Sequence, residues 1–522
     1  MLLFIGLSAL AFLAFKKAPS TFIPEEDQGY FIVSVQLPNA ASLKRTEEIS
    51  DRVSAMLQSM DGVEDCISIA GYSFMGGGVM SNGGSAWVTL KPWDERKGKG
   101  LSAEAIVKKF NEMAYMEIEE AQVFAVIPPA IPGMGASGGL NLILQDRNNL
   151  GSEATLSAIN TLQSNLKQAP SILNFNSTYQ AGVPQYMMEI DRDKLMMMGL
   201  NFEQANRALS IYLGNAFVNN YPEYGRIFDV MLGGKTSARG NIEDAMNLTI
   251  QNSQGNMVPF SAFATPKYTT GMEQIFRYNL YNSASLLCNV KPGYSSSQGI
   301  TDMQDLITKT LGKNFGYEWT SMAYQEETSK SSVTLIYVLA IIVALLVMAA
   351  QYESWMSPMA VITGVPFALL GVLAGIYVMH LPISIYTQIG MVLLIALSAK
   401  NGLLIVAFAR DYHAAGKSIE ESAVEALRLR LRPILMTSLA FVFGVLPLLF
   451  ATGAGANSRI SLGTAVVFGM AFNTLLGTVF IPIFYGLCQT FDEKVLKNIP
   501  AVFKQEDQTK LKADSGNAEN NI

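Results

Sequence analysis

The sequence predicts an α+β membrane protein. A bundle of six membrane helices is joined to a large polar region of ferredoxin-like βαβ units, and that region carries an inserted module. Three observations predict this. Long apolar stretches crowd into the last third of a 522-residue chain that is 50% hydrophobic and 15% charged. Residues 30–127 can be read as β-α-β-β-α-β. Part of the same order recurs later, interrupted by a segment with a different pattern.

The membrane stretches are residues 331–350, 355–379, 381–409, 433–458 and 460–490. Each reaches the roughly 20 residues needed to cross about 30 Å of hydrocarbon. A sixth stretch, residues 1–15, is shorter. It lacks the basic head and cleavage site of a signal peptide. It reads as the later part of a helix whose beginning is missing, with a short signal anchor as the alternative. The loop after the third late stretch carries Arg410, Lys417, Arg428, Arg430 and Arg432, and the segment after the last carries Lys494, Lys497 and Lys504. The other side has Lys16, Lys17, Lys330 and Arg459. The excess of positive charge puts the first set in the cytoplasm. The polar region between residues 16 and 330 then lies outside the cytoplasm. A tail over 504–522 is polar and predicted to be disordered.

Several function classes are disfavoured. The net charge of −6 leaves no basic footprint for nucleic acid. Cys66, Cys288 and Cys488 have neither metal nor disulfide spacing, and His380 and His413 are too scattered for a zinc site. No metal or cofactor is expected.

In the polar region, "YFIVSVQLP" (30–38) is a strand, "SLKRTEEISDRVSAMLQSM" (42–60) an amphipathic helix and "VEDCISIAG" (63–71) a strand. A strand at 85–92, a helix at 102–117 and a strand at 121–127 complete the order. The recurrence uses strand 140–145, helix 153–168 and strand 172–179, then strand 285–290, helix 298–311 and strand 317–322. The domain plan is therefore 28–130, then 138–184 with 266–325, with 185–265 inserted. Between the second and third strands lies "GYSFMGGGVMSNGGS" (71–85), with six glycines in fifteen residues. So many glycines predict a mobile loop. Tyr72, Phe74 and Trp87 lie in or beside it. Two readings fit: a pocket for varied apolar ligands, or a long hairpin loop over ordinary core aromatics.

In "MVLLIALSAKNGLLIVAFA" (391–409), Lys400 and Asn401 interrupt an apolar run. At about 1.5 Å per residue, Lys400 sits roughly 15 Å from Arg410 at the helix end. A charge at that depth costs about 2.5–3.5 kcal/mol, and such residues usually face a bundle interior and serve a function. In "RLRLRPILMTSLAF" (428–441), Pro433 fits a first helical turn. Thr437 lies two turns after Arg430, on nearly the same face. "SIEE" (418–421) reads as a capping box opening a short separate helix. No Asp or Glu stands inside the predicted spans. Either Lys400 is neutral in a protein-lined cavity, or its carboxylate partner comes from another polypeptide.

Four runs, "PSTFIPEEDQGYF" (19–31), "YESW" (352–355), "LSAKNGLLIV" (397–406) and "RLRLRPILMTSLAF", resemble signatures of the resistance-nodulation-division multidrug efflux transporters, of the hydrophobe/amphiphile type. The resemblance covers residues 1–489 and is to the C-terminal half of such a pump. It implies a six-helix half-bundle, two periplasmic porter subdomains (28–130; 138–184 with 266–325) and a docking subdomain (185–265) that includes "NNYPEYGRIFDV" (219–230). It implies a proton relay of Lys400, Arg430 and Thr437, with Asn401 beside them, completed by two aspartates of the N-terminal half. It implies a substrate surface of Ile67, Ile69, Tyr72, Phe74, Trp87 and Phe124 under a switch loop with Gly76, Gly77 and Gly78. That loop looks slightly longer than is usual, and isoleucine stands at two positions that are often aromatic. The implied assembly is a homotrimer in the inner membrane with a periplasmic adaptor and an outer-membrane channel. It would export hydrophobic or amphiphilic small molecules by proton antiport, driven by the proton-motive force without a cofactor. The alternatives are an inert fragment or non-transporting assembly subunit, and an accessory of protein export.

Overall fold

A computed structural model describes residues 2–97, 100–135, 137–272, 274–291 and 293–496. The tail expected to be disordered lies outside them. The chain divides into two compact units, Met1–Tyr179 with Phe276–Ile522, and Gln180–Ile275.

In the first unit, helix α1 (Leu2–Lys17) precedes the first sheet, which is built from β1 (Tyr30–Gln36), α2 (Leu43–Gln58), β2 (Val63–Ser73), β3 (Gly78–Leu90), α3 (Ala103–Glu117) and β4 (Gln122–Val126). Ser42 and Ser102 start the two helices, each accepting a hydrogen bond from the backbone N–H three residues on. All strand pairs are antiparallel, in the order β2-β3-β1-β4. Alternation along the strands sorts the side chains. Phe31, Val33, Val35, Ala86, Val88 and Ala125 pack against Ile49, Val53, Ile106 and Phe110 of the helices. Ile32, Trp87, Phe124 and Val126 gather on the other face.

The glycine count predicts a mobile loop over 71–85, but the structure has a β-hairpin there. Only residues 74–77 form the turn, so Gly76 and Gly77 sit at the tip while Gly78 opens β3. The other glycines serve close packing. A Cβ on Gly84 would stand 2.8 Å from Ser50 Oγ of α2, and one on Gly83 3.0 Å from Ser73 Cβ. Gly71, at φ +86, sits where the β2–β3 register shifts.

The chain continues into β5 (Leu140–Asp146), α4 (Ser152–Ser164) and β6 (Ile172–Asn176). It then leaves for the second unit: β7 (Val183–Ile190), α5 (Arg192–Met197), α6 (Phe202–Gly214), β8 (Ala216–Glu223), β9 (Arg226–Leu232), α7 (Ile242–Met246), β10 (Thr249–Gln251), β11 (Met257–Pro259) and β12 (Ala264–Gly271). This unit has its own core around Leu195, Leu200, Phe260 and Phe263. The insert is wider than 185–265 because β7 and β12 pair with each other over their full length. The β8–β9 hairpin is exposed throughout β9 and nearly all of β8.

Back in the first unit, β13 (Arg277–Tyr278), β14 (Tyr281–Val290), α8 (Ser296–Leu311) and β15 (Gly316–Thr320) complete the second sheet. Its main strands run β6-β14-β5-β15. Numbered by their order in the chain, these are strands 2-3-1-4, the same order as in the first sheet.

The apolar part comprises α9 (Ser321–Tyr352), α10 (Met356–Ile362), α11 (Val365–Met379), α12 (Ile385–Ala414), α13 (Ile419–Val445), α14 (Ala456–Phe472) and α15 (Thr478–Phe491). Together they make five spans long and apolar enough to cross a membrane. One expectation is corrected. The capping box at Ser418 is present, but it opens one helix that runs through Pro433 to Val445, rather than a separate short helix. Proline removes one hydrogen bond, to the carbonyl of Leu429, and Leu429 lies on an exposed side of the helix. The stretch at 355–379 is one span, as expected, with its helix broken at Thr363 and Gly364. Glycine leaves room at the break: a Cβ on Gly364 would stand 2.8 Å from Ser398 Oγ and 3.4 Å from Asn473 Oδ1.

Candidate functional site

Two regions gather the residues singled out from sequence. The first lies in the apolar bundle. Lys400 and Asn401 are neighbours on α12, so the helical rotation sends them to different sides. Asn401 is buried, and its Nδ2 donates to Ser438 Oγ of α13 at 3.3 Å. Lys400 is exposed, in a stripe with Ile389, Leu393 and Ala396 at spacings of four, three and four. Among the described residues it has no ion-pair partner. Arg430 lays its guanidinium over the Phe408 ring, 3.6 Å from the centroid, and its buried Nε has no hydrogen-bond acceptor. Thr437 is exposed, and its hydroxyl donates to the Ile434 carbonyl of its own helix at 3.1 Å. The structure thus ties Asn401 to α13 through Ser438. It joins neither Lys400 nor Arg430 to Thr437 by a hydrogen bond.

A second buried bond was missed from sequence. Ser398 Oγ donates to Asn473 Oδ1 at 3.0 Å. Asn473 opens a π-turn (Asn473–Gly477) between α14 and α15. The available signal was the spacing of Ser398 and Asn401, three apart on one helix face. These two bonds fix α12 against α13 and α14 on the side away from Lys400. An ammonium facing hydrocarbon at mid-depth is costly, so the stripe calls for a polar cover.

The second region is the helix-free face of the first sheet. Ile67, Trp87, Ile32 and Val126 form one cross-strand row, and Ile69, Ser85, Ser34 and Phe124 the next. Strict alternation would turn Tyr72 to the opposite face. The bulge at Gly71 brings it back, and its ring stacks on Trp87 at 6.4 Å. Phe74 meets Trp87 edge-on at 5.6 Å. All six side chains expected to line a substrate surface therefore share one face. Phe124 is buried against Ile32, Val126 and Leu287 of β14, while Ile67 is 66% exposed. Such a face can hold apolar or aromatic groups by area and ring contacts.

Five apolar spans, one of them carrying a lysine, and a separate aromatic sheet face fit a membrane transporter. The chain belongs to the AcrB/AcrD/AcrF family, whose model matches residues 1–489. It is similar to the multidrug/solvent efflux pump membrane transporter MepB of Pseudomonas putida, 36% identical over 473 residues, which covers 90% of this chain and 45% of the relative. It is 36% identical over 494 residues to the solvent-resistant pump membrane transporter SrpB of Pseudomonas putida, covering 94% and 47%. It is also 36% identical over 478 residues to the multidrug export protein AcrF of Escherichia coli strain K12, covering 90% and 46%. The chain spans about half the length of these curated relatives.

Proposed function

We propose that the chain supplies the C-terminal half of a proton-driven efflux pump for hydrophobic and amphiphilic small molecules. The observation that carries this reading is the position of Lys400, near the middle of α12 on an exposed stripe and, among the described residues, without an ion-pair partner. An N-terminal half carrying the relay aspartates would cover that stripe. Protonation of those aspartates would weaken their pairing with Lys400 and shift α12 between two packings. Arg430 and Thr437, on α13, complete the relay in this reading, and Asn401 transmits the shift to Ser438. The two sheets serve as ferredoxin-like porter subdomains on the periplasmic side of the inner membrane. Gln180–Ile275 serves as the docking subdomain, toward a periplasmic adaptor and an outer-membrane channel, in a homotrimer. Substrate would rest on Ile67, Ile69, Tyr72, Phe74, Trp87 and Phe124, with the Gly76–Gly77 tip moving over it. The cycle is secondary active antiport, alternating access driven by a charge switch, and it needs the proton-motive force and no cofactor.

Dye efflux in pump-deficient cells tests this. The expected result is export by the chain paired with a matching N-terminal half, and none by the chain alone or by the pair with Lys400→Ala. Export by the chain alone would refute the half-pump reading. A silent wild-type pair would favour a subunit without transport activity.

A further inference from the structure

Residues 19–29 of the run "PSTFIPEEDQGYF" lie outside both regions, yet their backbone and side chains touch α12, α14 and the first sheet. We propose that residues 19–29 form a coupling strap between the helix that carries Lys400 and the first sheet, with Glu26 as its positioning residue. The strap enters along the start of α12. Ile383 N–H donates to the Pro19 carbonyl at 2.8 Å, Thr21 N–H to Ile383 at 3.0 Å, and Ile385 N–H to Phe22 at 3.0 Å. Ser384, between those residues, is the N-cap of α12. The strap also meets α8, which is bonded in turn to α9. The Ser296 hydroxyl donates to Glu326 at 2.6 Å and lies 3.1 Å from the Thr21 hydroxyl.

Two adjacent carboxylates then grip different bodies. Helix α14 has Gly455 as its N-cap and no capping side chain of its own. Its free N–H groups are filled by Glu26, more than four hundred residues earlier in the chain. Glu26 accepts from Asn457 N–H at 3.1 Å, from Ser458 N–H at 2.7 Å and from the Ser458 hydroxyl. Asn457 Nδ2 donates back to the Glu25 carbonyl at 2.6 Å. Glu26 is only 5% exposed. A buried carboxylate needs this kind of satisfaction, and the positive end of the helix supplies it.

The next residue, Asp27, holds the first sheet. It takes a two-pronged bond from Arg96, at 2.8 and 3.1 Å, and accepts from the N–H of Ala103 at the start of α3. Trp93 Nε1 donates to the Asp27 carbonyl at 3.2 Å, and Leu90 N–H at the end of β3 donates to Gly29 at 2.8 Å. A displacement of α14 is thus one residue away from the sheet that carries Trp87, and one of α12 five residues away. The geometry fits a rigid tie better than a loose linker, because each end is held by backbone bonds or by an ion pair.

The transport role of the strap rests on the efflux reading, so the test separates the two. Hydrogen exchange is measured on the full chain in nanodiscs for wild type, Glu26→Gln and Glu26→Asp. In Glu26→Gln the amides of Asn457 and Ser458 should exchange roughly tenfold faster, the scale of a lost charged hydrogen bond. The amides of Leu90, Ala103 and Thr387, which make no contact with Glu26, should also exchange faster. Glu26→Asp should recover part of the protection, and β5 amides should stay unchanged as a control of folding. A response confined to Asn457 and Ser458 would reduce Glu26 to a local helix cap and overturn the proposal. In cells, the Glu26→Gln pair should lose turnover with little change in the dye concentration for half-maximal efflux. A wild-type pair that does not pump defeats the efflux reading, while the exchange pattern still decides the strap.

Discussion

The two sides of the apolar bundle are built on different principles. Between α11 and α14 the chain uses glycine. A Cβ on Gly371 would stand 2.5 Å from the Phe468 carbonyl oxygen and 2.6 Å from Phe472 Cβ, and one on Gly375 2.7 Å from the Phe468 ring. A Cβ on Gly469 of α14 would stand 3.1 Å from Val372 Cγ2 and 3.2 Å from the Ala368 carbonyl oxygen of α11. Backbones approach closely there, which is how helices gain packing in lipid. Around α12 and α13 the chain uses polar groups, and much of the surface stays open. In α13 only Ser422, Ala423, Ala426, Ile434 and Ser438 are buried, whereas about half of the residues of α10 and α11 are. Leu439 and Phe443 of α13 are exposed, as is Lys400 of α12. One side is closed by its own side chains. The other presents apolar residues around a charge, which suits a protein partner better than lipid.

The largest effect should come from the closed side. Gly371→Leu should lower stability by about 3 kcal/mol, because the blocking atoms are backbone and an inner Cβ that cannot swing away. Thermal unfolding in detergent measures this, and a loss near zero would mean that the α11–α14 contact is looser than described. Leu439→Ala, on the open side, should leave the chain's own stability within about 0.5 kcal/mol and weaken its recovery with an N-terminal half. Smaller is the α12–α13 bond. A double-mutant cycle of Asn401→Ala and Ser438→Ala should give a coupling of about 0.6 kcal/mol, and no more than about 1.7. Zero coupling would remove Asn401 as the link between these helices. On the aromatic face, Ile67→Ser should weaken binding of an apolar dye severalfold without changing the melting temperature, since Ile67 is largely exposed. A fall in stability with unchanged dye binding would make that face ordinary core.

The smallest effect near neutral pH concerns Asp27. Burial alone would raise its carboxyl, but the Arg96 guanidinium and the N–H groups of Gly29 and Ala103 outweigh burial and hold it below the usual carboxylate value. A lowered folded value means stability that is present above the unfolded value, about 3.9, and lost as pH falls through the folded one. The stability gap between wild type and Asp27→Asn should therefore be constant from about pH 8 to 5 and close only below about 4. A gap that closes between pH 8 and 5 would contradict the clamp.

Much of the fold was legible because its signals are local. Alternation marked the strands, Ser42 and Ser102 marked helix starts, and apolar length marked the spans. What stayed illegible depends on distant partners. The glycines of 71–85 read as a loop, since nothing in that stretch reveals Ser50 pressing on the strand. Pro433 read as a helix start, although lipid favours keeping the rest of the helix intact. Lys400 stood out because a charge in an apolar run is rare. Ser398 and Asn401 did not, since small polar residues are common in such runs, and the partners Asn473 and Ser438 lie on other helices. Glu26 was quoted as part of a motif, but its partners at Asn457 and Ser458 appear only in three dimensions.

The most direct measurement asks what covers the Lys400 stripe. A photoreactive residue replaces Leu393, which shares that stripe and is 42% exposed, and the chain is irradiated in membranes with a matching N-terminal half. The account predicts a covalent adduct with that half. Adducts only with lipid, or only with a second copy of this chain, would contradict it.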